Sequence, residues 1–344
     1  SIKGWVMSNV PNINIKVFFD GNQIGTATRT TRTDVLNTVK GYGGDITNPQ
    51  PGFSINFDFS KQSLGSHTIK VEVWSEDNRK LKEGITTINI INRIEYGIGS
   101  YGNSGATIHG VAGGSALRYY KYGSGPNVFF ATFCVHGFED SWAADGFILT
   151  CIADNFYNQL VASQDRGIAD KWTIYIFPEV NPDGRRMGYT NNGPGRLTLY
   201  SQVGRGLDIN RCWQTGSSYT RYTDSRNYNG TAGFQAYEAA ALRDFMLSHK
   251  STSGQTVVVD LHGWENQLIG NEQIANYYKA YIPTCSTRNY GVYGNQYIVS
   301  WARQNLGAKA TLVEFPKANS PAQVDSMGLS SKYINATLQM LREV

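Results

Sequence analysis

Apolar and polar positions alternate with a period of two in the first part of the chain, over residues 13–19, 23–29, 53–59, 67–74 and 84–91. Successive side chains of a pleated strand point to opposite faces, so each run predicts a strand with one face buried. Asp20-Gly21-Asn22 separates the first two runs as a hairpin signal, and turn residues recur throughout. Together these features predict a small all-β, immunoglobulin-like sandwich over residues 1–93, without a helix of convincing length. No cluster of histidines, cysteines or carboxylates able to do chemistry falls there, so this part reads as a spacer or attachment module.

From residue 94 the pattern changes. The continuous apolar runs 128–135, 172–177, 256–261 and 310–313 fit strands buried on both faces. Residues 144–164, 234–249, 297–306 and 330–343 instead carry apolar positions at i, i+3 and i+4, the spacing of one helix face. The stretches 191–201 and 217–233, rich in Gly, Asn, Thr and Tyr, read as loops. Strands alternating with helices predict an α/β domain over residues 94–344, with a mixed central sheet flanked by helices.

Composition narrows the classes. Of 344 residues, 40% are hydrophobic and only 17% charged, which fits a globular chain with an uncharged polar surface. Such a surface, rich in Gly, Tyr, Asn, Ser and Thr, suits an extracellular protein. The net charge of +4 is too mild for a nucleic-acid platform, and no apolar run is long enough to span a membrane. The first residues, Ser-Ile-Lys-Gly-Trp, lack an initiator Met and a signal-peptide core, so the N-terminus reads as trimmed. The four cysteines, Cys134, Cys151, Cys212 and Cys285, form no Cys-x-x-Cys pair and read as buried free thiols.

Ligands of open α/β sheets bind at the carboxyl ends of strands, so the polar residues directly after the apolar runs are the informative ones. His136 and Glu139 follow the first run, and Asn181-Pro182-Asp183-Gly184 follows the second. The third leads into His262, and the fourth ends at Glu314. Three residues apart at a strand exit, His136 and Glu139 can aim a nitrogen and a carboxylate at one point. A second imidazole, from His262, would complete a His2Glu set that leaves a fourth tetrahedral position open, as catalytic zinc requires. The plain alternative is two hydrogen-bonded strand-end histidines.

His136-x-x-Glu139, Asn181-Pro182-Asp183-Gly184, the segment Gly206-Leu207-Asp208-Ile209-Asn210-Arg211, His262 and Glu314 resemble, in order and spacing, the zinc carboxypeptidases of the carboxypeptidase A type. The resemblance covers residues 94–344 and not the β part before them. It implies one zinc ion on His136, Glu139 and His262, with Glu314 as the general base. It also implies that Asp208 orients the first zinc histidine and that Asn210 and Arg211 hold the substrate's terminal carboxylate. Arg196, with Arg205 as its rival, is implied to stabilise the oxyanion, and Tyr293, with Tyr290 as its rival, to cover bound substrate.

Some positions depart from that pattern. Phe138 stands where the pancreatic-type enzymes carry an arginine, and Val299 and Ser300 before Trp301 offer no acidic receptor for a basic side chain. The short interval between His262 and Glu314 implies trimmed loops and an open cleft. With the β companion, these features resemble bacterial members acting on peptidoglycan stem peptides, and the N-terminal domain then offers a cell-wall contact. A general exported carboxypeptidase for neutral or aromatic C-terminal residues is the alternative. An amidoacylase and a non-catalytic wall-binding protein on the same fold are the further ones.

Overall fold

The alternating runs fold as strands β1 (Ile2–Trp5), β2 (Asn14–Phe19), β3 (Asn22–Thr26), β4 (Thr28–Thr30), β5 (Gly52–Ile55), β6 (Gly65–Trp74) and β7 (Lys80–Ile90) of a computed structural model. The structure describes residues 1–39, 50–63, 65–90, 95–98, 107–108, 111–112, 115–187, 197–199, 201–217, 219–288 and 296–344. The chain divides into two units, Ser1–Asn92 and Arg93–Val344.

In the first unit the strands form two antiparallel sheets, in the orders β1-β5-β4 and β3-β2-β6-β7. Ile15, Val17, Phe19 and Ile69 of one sheet and Phe53 of the other join a single buried apolar cluster, which makes the pair a sandwich. Asp20 at φ 46° and Gly21 at φ 82° form the two-residue hairpin turn between β2 and β3. Both dihedrals are positive, as the turn that matches strand twist requires. A six-residue helix, α1 (Thr33–Thr38), also occurs in this unit.

The second unit is built on β8 (Glu95–Ile98), β11 (Leu117–Tyr122), β12 (Asn127–Phe133), β13 (Trp172–Phe177), β14 (Thr256–Gly263), β15 (Gln267–Gly270), β16 (Ser286–Arg288) and β17 (Lys309–Phe315). They form one sheet in the order β16-β15-β17-β14-β12-β13-β11-β8. β9 (Thr107–Ile108) and β10 (Val111–Ala112) pair separately. Neighbours from β13 through β12 and β14 to β17 run parallel, whereas β15, β11 and β8 enter antiparallel to their inner neighbours, so the sheet is mixed.

Helices α2 (Gly146–Ser163), α3 (Arg166–Lys171), α4 (Pro182–Met187), α5 (Tyr237–His249), α6 (Glu272–Tyr281), α7 (Ile298–Leu306), α8 (Pro321–Ser326) and α9 (Leu329–Glu343) complete the unit. Both faces of the sheet are covered, and the central strands show it. Phe130 packs with Tyr175 and with Phe245 of α5, whereas its neighbour Phe129 meets Phe156 of α2, and Phe133 meets Tyr333 of α9. Val258, Ala310 and Leu312 share the α5 and α7 side with Phe130. β14 continues past its apolar run, so His262 lies inside a strand, directly opposite Glu314 on β17.

Because Phe130 is fully buried among rings from two elements, Phe130→Ala is expected to destabilise the protein by about 3–5 kcal/mol. A denaturant titration reads this as a lowered midpoint, and a loss below about 1 kcal/mol would show that the sheet does not depend on this packing.

Candidate active site

The exit of β12 is held in place before any side chain is considered. Val180 N–H donates to the Phe133 carbonyl and Asn181 N–H to the Cys134 carbonyl, each at 3.0 Å, so the Asn-Pro-Asp-Gly segment braces the loop that carries His136. Asp145, fully buried, accepts from the backbone N–H of Glu139 and, at 2.8 Å, of Ser141. It also accepts from Trp264 Nε1 at 3.0 Å. One carboxylate thus ties the loop after β12 to the chain leaving β14.

On these supports His136, Glu139 and His262 converge, with their ligand atoms all within 4.8 Å of one another. His136 Nδ1 lies 3.2 Å from Glu139 Oε2, and His262 Nδ1 lies 3.0 Å from Glu139 Oε1. Ligands about 2.0–2.1 Å from a tetrahedral zinc ion sit about 3.4 Å apart, close to these separations. The far nitrogens point away, to carboxylates: His136 Nε2 to Asp208 Oδ1 at 3.0 Å and His262 Nε2 to Asp260 Oδ2 at 2.8 Å. Each imidazole therefore turns Nδ1 inward and has its outer nitrogen fixed, the arrangement that orients a histidine as a metal ligand. Asp260 is itself held by Thr132 Oγ1 at 2.6 Å across the sheet.

The polar atoms fit a cation. Glu139 Oε1 is buried without a hydrogen-bond partner, since His262 Nδ1 approaches it at ion-pair distance but without hydrogen-bond alignment. Burial pushes Glu139 up, but His136 and His262 more than offset this and hold it down at about 2. Burial lowers His262, yet Asp260 and Glu139 raise it well above the ordinary imidazole range. Protons thus balance the carboxylates where a divalent ion would otherwise do so. The donor set, two imidazole nitrogens and one carboxylate, is that of a catalytic zinc site.

Glu314 faces the same cavity of about 240 Å³, which His136, Glu139, Asn210 and Arg211 also line. Its Oε2 is buried without a hydrogen-bond partner. Burial pushes its pKa up to about 8; His262 opposes the rise, and Glu139 and Glu265 add to it. A cation on the triad would favour its ionised form. Asp208 Oδ1 also accepts Asn210 N–H at 2.9 Å, capping the 3-10 turn Ile209–Arg211. Asn210 is buried between His262 Nε2, 3.3 Å from its Nδ2, and Ile298 N–H, which donates to its Oδ1 at 3.1 Å. The Arg211 guanidinium lies over the Tyr297 ring, 4.7 Å from its centroid.

Other sequence expectations fare differently. Arg196, Tyr293 and Tyr290 lie outside the described residues. Arg205 is exposed, stacks on Tyr228 and does not line the cavity. Val299 and Trp301 are buried in the α7 core, and Tyr297 lines the cavity in their place. All four cysteines are free, but Cys151 is only half-buried. The sequence reading missed Asp260, whose signal was a carboxylate two residues before His262 and so on the same strand face. It also missed Asp145 and the lining residues Arg226, Glu265, Gln267 and Arg288, which come from loops and from the short strands β15 and β16, without a local pattern.

A mixed sheet that gathers two histidines and a glutamate at its strand ends, with a fourth carboxylate opposite, defines a metallopeptidase type of domain. Residues 124–293 match the zinc carboxypeptidase family, and the chain carries a domain of that family. Bacteriocin BCN5 of Clostridium perfringens is 35% identical over 252 residues, covering 72% of this chain and 27% of that protein. Zinc carboxypeptidase A 1 of Anopheles gambiae is 30% identical over 122 residues, covering 33% of this chain and 27% of that protein. The solved carboxypeptidase A of Helicoverpa armigera superposes with a TM-score of 0.54 at 13% identity, covering 73% of this chain and 70% of that one. The chain thus spans about a quarter of the length of the curated relatives it matches, 27% in each case.

Two outcomes follow for metal binding. Asp260→Ala is expected to weaken zinc binding about 10- to 100-fold, read by chelator competition, and unchanged affinity would remove Asp260 from the site. Because the metal-free state protonates His262, zinc must displace that proton, so its affinity is expected to rise between pH 6 and 8 with proton release on binding. A pH-independent affinity would contradict the triad.

Proposed function

We propose that the second unit is a zinc-dependent peptidase that hydrolyses a peptide bond at or near a free C-terminus, acting on stem peptides of the bacterial cell wall. The observation that carries the reading is Glu314 Oε2, buried without a hydrogen-bond partner on a side chain that lines the same cavity as His136 and Glu139 of the triad. One oxygen of this carboxylate is held by the Glu265 backbone, which leaves Oε2 to receive a proton from water in the cavity.

Zinc bound by His136, Glu139 and His262 would supply Lewis acidity to a substrate carbonyl and to water. Glu314 takes the proton of the attacking water and delivers it to the departing amine. Arg211, its fork steadied over Tyr297, receives a terminal carboxylate through paired hydrogen bonds, and Asn210 adds an amide beside it. Arg196 is assigned to the oxyanion and Tyr293 to covering the substrate, on the family pattern alone. The relative named as a bacteriocin supports a bacterial target, and the uncharged polar composition supports an extracellular or wall-associated location, with the N-terminal unit in contact with the wall.

Zinc-loaded protein is expected to shorten stem peptides, with products identified by mass. Glu314→Gln is expected to retain zinc and lose about 10²–10⁴-fold in kcat, whereas full activity in that variant would remove Glu314 from the mechanism. Amidation of the substrate's C-terminus is expected to abolish turnover, and cleavage that ignores amidation would identify an endopeptidase.

A further inference from the structure

We infer that Thr132 is a positioning residue of the metal site: its hydroxyl fixes the Asp260 carboxylate so that the outer nitrogen of His262 donates to it and Nδ1 is left to a cation. This assignment rests on the zinc reading of the triad given above and deepens it by one residue further from the ion.

Thr132 on β12 and Asp260 on β14 are direct partners in the parallel register, and Phe130 and Val258 are partners one step back on the same face. Phe130 and Val258 belong to the apolar cluster under α5 and α7, so the face turns from apolar to polar at Thr132 and Asp260. Both of these side chains are fully buried. A buried carboxylate costs more to enclose than an apolar side chain of its size, so core packing alone gives no reason for the pair. Its reason lies one step onward, where His262 shares the face. The Thr132 hydroxyl donates to Asp260 Oδ1 at 2.6 Å, and Asp260 Oδ2 lies 2.8 Å from His262 Nε2. The carboxylate is thus divided, one oxygen to each neighbour.

Asp260 has a competitor for that imidazole. Asn210 Nδ2 lies 3.3 Å from the same His262 Nε2, and the Asn210 amide is oriented by Ile298 N–H, which donates to its Oδ1. Asn210 therefore presents an N–H to the ring, and Asp260 presents an acceptor. A neutral imidazole carries one ring N–H and one lone pair. A ring that donates to Asp260 has its lone pair on Nδ1, facing the triad, whereas a ring that accepts from Asn210 has hydrogen there and cannot ligate through it. The carboxylate torsion of aspartate is broad and nearly two-fold, so without the Thr132 bond Asp260 can turn its oxygens away from the imidazole. The hydroxyl removes that freedom. On His136 the backbone does the same work, since Asp208 Oδ1 accepts Asn210 N–H as well as facing the outer nitrogen.

The test measures zinc affinity of the full chain by chelator competition in Thr132→Val, which loses the hydroxyl and keeps the shape, and in Thr132→Ser, which keeps the hydroxyl. Thr132→Val is expected to bind zinc about tenfold more weakly and Thr132→Ser within about threefold of the unaltered protein. In an Asp260→Ala background Thr132→Val is expected to change affinity less than about twofold, because the hydroxyl then has no carboxylate to fix. Should Thr132→Val fail to fold, Thr132→Ser against Thr132→Ala reads the same hydroxyl at nearly constant volume, with Thr132→Ala expected about tenfold weaker. Affinity indifferent to the hydroxyl, or a tenfold loss that persists in the Asp260→Ala background, would overturn the assignment. The same zinc-loaded forms are then given stem peptides. Affinities in the expected order with no peptide cleaved would uphold the positioning role and sink the peptidase reading alone. Cleavage by forms whose zinc affinity ignores the hydroxyl would sink the positioning role alone.

Discussion

Parallel pairing of β12 with β14 and of β14 with β17 is the constraint on which the site depends. It sets strand ends far apart in sequence side by side, with the same direction and the same height. A loop after β12 can then place His136 and Glu139 against His262, and the β14–β17 register sets His262 directly opposite Glu314. A one-residue slip of β17 would turn Glu314 to the other face of the sheet. Burial on both faces, from Phe129 and Phe130 outward, is what pins that register.

Buried charge is the second organising feature. Glu139, Asp208 and Asp260 are almost wholly enclosed, Glu314 is partly so, and two imidazoles stand among these four carboxylates. Such a surplus of acid is costly to bury unless a cation or protons offset it. The raised His262 and Glu314 and the lowered Glu139 are the protein's own response when only protons serve. A divalent ion held by His136, Glu139 and His262 would offset the same imbalance.

Much of this was legible in the chain. The central strands were readable because burial on both faces leaves uninterrupted apolar runs, and three of the four candidate metal and base residues, His136, His262 and Glu314, were readable because they directly follow those runs. β15 and β16 were not, since Gln267–Gly270 is too short for periodicity and Ser286–Arg288 is exposed throughout. α6 was missed because polar residues surround its narrow buried stripe of Ile274, Ala275 and Tyr278. The lining arginines Arg226 and Arg288 have no local signature, because only tertiary register makes them neighbours of the triad.

The 3-10 turn Ile209–Arg211 is capped by Asp208 Oδ1, the oxygen that also meets the outer nitrogen of His136. The turn presents Arg211 to the cavity, and the imidazole presents itself to the triad. The two thus share one anchor atom. Whatever coupling this shared oxygen carries from the guanidinium to the histidine is reciprocal, so that occupation of the triad would act on the arginine by the same amount.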